Sequence, residues 1–261
     1  MKIAITGKGG VGKTTLTALL AQVYAERGRD VLVVDSDPSP SLAGALGIPP
    51  DVAADLRPIS EMDELIEERT GAKPGSSGSF FTLNPRVDDI PERFSVAHEG
   101  VRLLEMGSVE SGGAGCICPE SAMLKTLFTH LLFRKDEVLL LDMYAGVEHL
   151  GRATVDFVDT MLIVVEPTRR SLATASQIKQ LAADIGLTRL WLVGNRIRDD
   201  EDVAFLERER GDIPLLGYLS EDPGVVEADR QGTSAFAVAP SLKRAAGEIA
   251  DQLDQLALEI S

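Results

Sequence analysis

A chain of 261 residues, 44% hydrophobic and 26% charged, can bury a full core and fits one α/β domain over residues 1–261 better than several small ones. Its formal net charge of −15 opposes binding to polyanions, so neither nucleic acid nor an anionic membrane is an expected partner. No apolar run approaches the ~20 residues that cross a bilayer, and the chain enters a strand at once instead of the apolar segment of an export signal, so a cytoplasmic location is expected.

In chain order, short β-branched and leucine-rich runs at Lys2–Thr6, Val31–Val34, Val101–Met106, Val138–Leu141, Met161–Val165, Leu190–Val193 and Leu215–Leu219 read as strands. Segments of helical period lie between them. Leu16, Leu19, Leu20, Val23 and Tyr24 form one apolar stripe that Gly28 terminates, and Leu124, Leu127, Phe128, Leu131 and Leu132 form another. Further helices are predicted over Leu172–Ile185 and Leu242–Ile260. This alternation predicts an α/β fold: a mostly parallel sheet of seven or eight strands with helices on both faces. Residues 51–99, with the run Gly75-Ser76-Ser77-Gly78-Ser79 and prolines at Pro85 and Pro91, read as an irregular excursion with no assigned function.

The first strand runs into Gly7-Lys8-Gly9-Gly10-Val11-Gly12-Lys13-Thr14-Thr15, a phosphate loop between strand and helix. Its backbone N–H groups and the positive end of the following helix converge where phosphate oxygens would lie. Lys13 is expected at the β- and γ-phosphates, the Thr14 hydroxyl on Mg²⁺, and Thr15 at the α-phosphate. Two buried strands end in acids, Val31–Asp35 followed by Ser36 and Asp37, and Val138–Asp142, which places carboxylates at the C-terminal edge where open sheets bind ligands. Asp142 is expected to meet Mg²⁺ through water, Asp35 to hold the metal's water shell, and Asp37 to orient the attacking water. Gly146, shortly after Asp142, is placed to sense the γ-phosphate.

These motifs, with Asn195-Arg196 at the end of a later strand, resemble the MinD/ParA and nitrogenase iron protein family of deviant phosphate-loop ATPases over nearly the whole chain. The resemblance implies hydrolysis of ATP to ADP and phosphate. It also implies a homodimer with ATP at its seam, in which Lys8 reaches the partner's phosphates and neutralises charge developing in the transition state. It further implies that Asn195 reads adenine with Arg196 beside it.

Cys116 and Cys118, the two cysteines, follow a glycine-rich approach and precede Pro119, a residue type favoured at the first helical position. Their spacing closes too small a loop for a useful disulfide. A thiolate at a helix start is favoured by the dipole, and residues two apart in extended chain point the same way, so both sulfurs can face one metal. Two such pairs across a dimer axis supply four thiolates for Ni²⁺ or Zn²⁺, which sulfur ligands alone do not distinguish. Gly115-Cys116-Ile117-Cys118, the run Leu140–Gly151, and Val165-Glu166-Pro167-Thr168 look like the CooC branch of nickel-insertion ATPases. That likeness implies ATP-driven metal insertion into apo carbon monoxide dehydrogenase as client. Glu148 and His149 read as a helix start and a packed side chain.

Three rivals fit less well. An iron–sulfur reductase of the nitrogenase type needs two cysteines well separated in sequence. A ParA-like positioning ATPase would want exposed basic residues, and a MinD-like membrane-cycling one would end in a basic amphipathic helix, whereas Asp251, Asp254 and Glu259 make this tail acidic.

Overall fold

The computed structural model describes residues 1–37, 39–75, 80–107, 118–133, 137–143 and 158–260. Its centre is an eight-stranded sheet: β1 (Lys2–Gly7), β2 (Val31–Asp35), β3 (Val96–His98), β4 (Val101–Glu105), β5 (Val138–Asp142), β6 (Thr160–Val165), β7 (Leu190–Ile197) and β8 (Leu215–Ser220). The spatial order is β3-β4-β2-β5-β1-β6-β7-β8. Every pairing is parallel except β3 against β4. The mostly parallel α/β sheet with helices on both faces matches the expectation. β3 is the additional strand, three residues long and half-buried at the sheet edge, too short for a periodic pattern to reveal.

Strand alternation sends side chains to two cores. Ile3, Ile5, Val31 and Val33 face α1 (Lys13–Glu26) and α11 (Pro240–Ile260), with α2 (Leu42–Ala45), α9 (Gly224–Gln231) and α10 (Ala235–Val238) alongside. Ala4, Leu32, Val34, Leu139 and Leu141 face α6 (Pro119–Phe133), α7 (Arg169–Ile185) and α8 (Asp200–Glu209). Both faces of β2 and β5 are therefore buried, which is why these strands are continuous apolar runs. The acidic tail has a partner: Asp251 and Asp254 of α11 pair with Arg27 at the end of α1, at 2.7 and 2.9 Å.

The segment 51–99 corrects the reading of it as irregular. It carries α3 (Pro50–Ala53), a 3₁₀ turn (Ile59–Glu61), α4 (Asp63–Thr70), α5 (Ile90–Phe94) and β3. Ile59, Leu65, Ile66, Val87 and Ile90 are buried in the core that also receives α6. The stretch is a layer of the domain made from pieces too short to show helical periodicity. No described helix is long and apolar enough to cross a membrane.

Candidate functional site

β1 ends at Gly7, whose missing Cβ would meet the Val164 carbonyl oxygen at 2.5 Å, so only glycine lets the chain pass β6 and enter the loop. At the loop's crest a Cβ on Gly9 or Gly10 would meet nothing within 4 Å, so the space in front of the loop is open. Gly12, at φ +96°, starts α1 with no side-chain cap, so the first amide groups of the helix remain available to an anion. Lys13 is buried at 7% exposure, while Lys8, Thr14 and Thr15 are half-buried and Gly9 and Gly10 exposed.

The carboxylates arrive by strand register. β4, β2 and β5 are neighbours in which Glu105, Asp35 and Asp142 stand opposite one another, so three acids line one edge. Their environments differ sharply. Asp142 is 2% exposed, and among the described residues neither of its oxygens reaches a hydrogen-bond partner. Burial pushes its pKa up to about 7; the neighbouring Thr14 hydroxyl pulls it down, Asp35 pushes it up and Lys13 lowers it. Two orphaned buried oxygens beside the Thr14 hydroxyl fit the water shell of a divalent cation, the role expected of Asp142 and Thr14 toward Mg²⁺. Glu105 is raised by burial, then by Asp35 and Glu61.

Asp35 has a structural task besides the role toward the metal's water shell expected of it: one oxygen accepts from the Asp37 amide at 3.0 Å and the other from the Ser41 and Leu42 amides, both at 3.1 Å. It is a clasp that folds the loop after β2 and starts α2. Burial raises its pKa, and those amides lower it. The loop it closes presents Asp37, half-buried, whose carboxylate accepts only the Ser39 amide among the described residues, at 2.9 Å.

Asn195 leaves β7 for the phosphate loop. Its Nδ2 donates to the Val11 carbonyl at 2.7 Å, and a Cβ on Gly12 would sit 2.1 Å from that nitrogen. Gly12 is thus glycine for two reasons, its φ and this contact. The structure accordingly places Asn195 against the loop itself, a role the sequence did not suggest. Arg196 has a left-handed backbone, φ +56°, and its guanidinium pairs with Glu166. Sequence reasoning also missed a cavity of about 340 Å³ whose walls include Thr14, Thr15, Ala18, Val225, Val226 and Phe236. Its far wall comes from α9 and α10, which carry no motif, and its near wall from α1 and α2.

Cys118 lies just before α6, its carbonyl accepting the Ala122 amide at 3.0 Å, which makes it the N-cap of a helix that begins at Pro119 as expected. Its Sγ is half-buried and 3.1 Å from the Ser121 hydroxyl. Cys116, Gly146, Glu148 and His149 lie outside the described residues. Among the described residues no three His, Cys, Asp or Glu side chains converge as a metal site.

Residues 2–235 match the model of the CobQ/CobB/MinD/ParA nucleotide-binding domain. The chain belongs to that family. It is 45% identical over 243 residues to the carbon monoxide dehydrogenase accessory protein CooC of Rhodospirillum rubrum, covering 93% of this chain and 92% of that one, which bears out the CooC-type resemblance. It is 44% identical to an uncharacterised ATP-binding protein of Methanocaldococcus jannaschii, over 89% of this chain and 90% of the other. The MinD cell division protein of Aquifex aeolicus superposes with a TM-score of 0.66 at 22% identity, covering 97% and 96% of the two chains. A MinD from Pyrococcus horikoshii, complexed with Mg-ADP, does so at 0.66 and 24%, covering 98% and 96%. These two show the shared fold.

Proposed function

We propose that this protein is a CooC-type ATPase, hydrolysing ATP to ADP and phosphate, in which nucleotide drives homodimerisation and the transfer of nickel into apo carbon monoxide dehydrogenase. The observation that carries the reading is the 45% identity to CooC over 93% of this chain and 92% of that one, joined to an intact phosphate loop and a cysteine at the N-cap of α6. Lys13 and the uncapped amides of α1 hold the phosphates, with Gly9, Gly10, Val11 and Gly12 shaping the cradle and Thr15 at the α-phosphate. Thr14, and Asp142 through water, would hold Mg²⁺, which would supply neutralisation of phosphate charge. Asp37 orients the attacking water, and Lys8 serves the partner's phosphates. Asn195 and Arg196 lie at the base.

The cargo ion, Ni²⁺ with Zn²⁺ as competitor, is bound by Cys116 and Cys118 of both chains, four thiolates in all. Two substitutions separate the links. Asp37→Ala should leave ATP-bound dimers that do not turn over. Cys116→Ser should lose bound nickel while retaining most ATP hydrolysis, and unchanged nickel stoichiometry in that variant would refute the site.

A further inference from the structure

The end of β7 is built around an irregularity. Its pairing with β8 is in register at Gly194↔Tyr218 and resumes at Ile197↔Ser220 after a shift, so Asn195 and Arg196 occupy a bulge, a device that re-aims a side chain next to a site. Arg196 takes the left-handed backbone that side chains rarely adopt, and something must hold it there. Glu166, at the end of neighbouring β6, pairs with its guanidinium. Glu166 is itself anchored: its amide donates to the Ser171 hydroxyl at 3.1 Å, inside the Thr168-capped start of α7.

The consequence falls on Asn195. A carbonyl can only accept, so the contact with the Val11 oxygen fixes which end of the Asn195 amide faces the loop: the nitrogen does. The end left for a base is the oxygen, an acceptor. It matches the 6-amino donor of adenine and opposes the 6-oxo acceptor of guanine. We propose that Glu166 is a positioning residue for base selection: by gripping Arg196 it holds the bulge, which keeps the Asn195 amide locked on the phosphate loop with only its oxygen offered to the base. This rests on the reading that Asn195 faces adenine.

The test is steady-state hydrolysis of ATP and GTP by the full chain and its variants. Glu166→Gln should raise KM for ATP about fivefold, more than it lowers kcat, and shrink the preference for ATP over GTP by a similar factor. Arg196→Gln should do the same, and the double variant should be no worse than either single change, because one pair is being broken. Glu166→Asp, which keeps the charge, should recover most of the preference. Additive effects of the two single changes would overturn the proposal, as would an unchanged ATP-to-GTP ratio in Glu166→Gln while Asn195→Ala alters it. If Asn195→Ala also leaves the ratio unchanged, the base contact itself is wrong and the positioning role falls with it.

Discussion

Asp142 and Asp89 are carboxylates of one chain under opposite electrostatics. Asp142, at the phosphate-loop edge, is buried with orphaned oxygens and a pKa raised to about 7. Asp89, in the 51–99 layer, accepts from Arg69 and Arg93, both at 2.8 Å, and its pKa is held down at about 2 by Arg93 first and Arg69 with it, against some burial. The scaffold region completes its own ion pairs. At the phosphate-loop edge neither oxygen of Asp142 has a hydrogen-bond partner among the described residues, an arrangement that suits a cation-binding edge.

The largest way to break the contrast is to remove the buried cation of the nucleotide edge. Lys13→Ala should abolish ATP binding, with a loss of affinity on the order of a hundredfold or more in calorimetric titration, because the phosphates lose their one buried charge partner. Near-native affinity would mean that nucleotide does not sit in the loop.

The two carboxylates also predict opposite pH dependences. The folded pKa of Asp142, about 7, lies above the ordinary carboxylate range, so the folded state holds the extra proton, and without nucleotide or Mg²⁺ its contribution to stability declines from about pH 4 to about pH 7. Asp142→Asn should remove that decline. Above neutral pH it should stabilise the ligand-free protein by on the order of 3 kcal/mol in urea unfolding, while weakening Mg²⁺-dependent nucleotide binding. Asp89 has its folded pKa depressed, so its contribution is present above about pH 4 and disappears as pH falls toward about 2. Asp89→Asn should cost about 1 kcal/mol near neutral pH, since the arginines around it are partly solvated, and should cost nothing at the acid end.

The same contrast explains what could be read from residue order. The phosphate loop is legible because its residues are consecutive and of the types the turn itself demands, with Gly7 at a strand end, Gly12 at positive φ and Lys13 at a helix start, although the groups that Gly7 and Gly12 pack against, Val164 and Asn195, come from far along the chain. The parallel strands are legible because burial on both faces forces continuous apolar runs, and the helix beginning at Pro119 because proline suits a first turn. The 51–99 layer is not, since its order depends on Arg69 meeting Asp89 twenty residues away and on helices of four or five residues without a full period. The clasp made by Asp35 is hidden for a related reason. A strand-end acid looks the same in sequence whether it meets a metal or three backbone amides, and only the path of the loop through Ser41 and Leu42 decides.

Size-exclusion chromatography with metal analysis of each fraction, run with and without ATP and nickel, reaches the central claim most directly. With both ligands the protein should elute as a dimer holding about one metal ion per two chains. A single chain under every combination of nucleotide and metal would contradict ATP-coupled, thiolate-shared metal transfer.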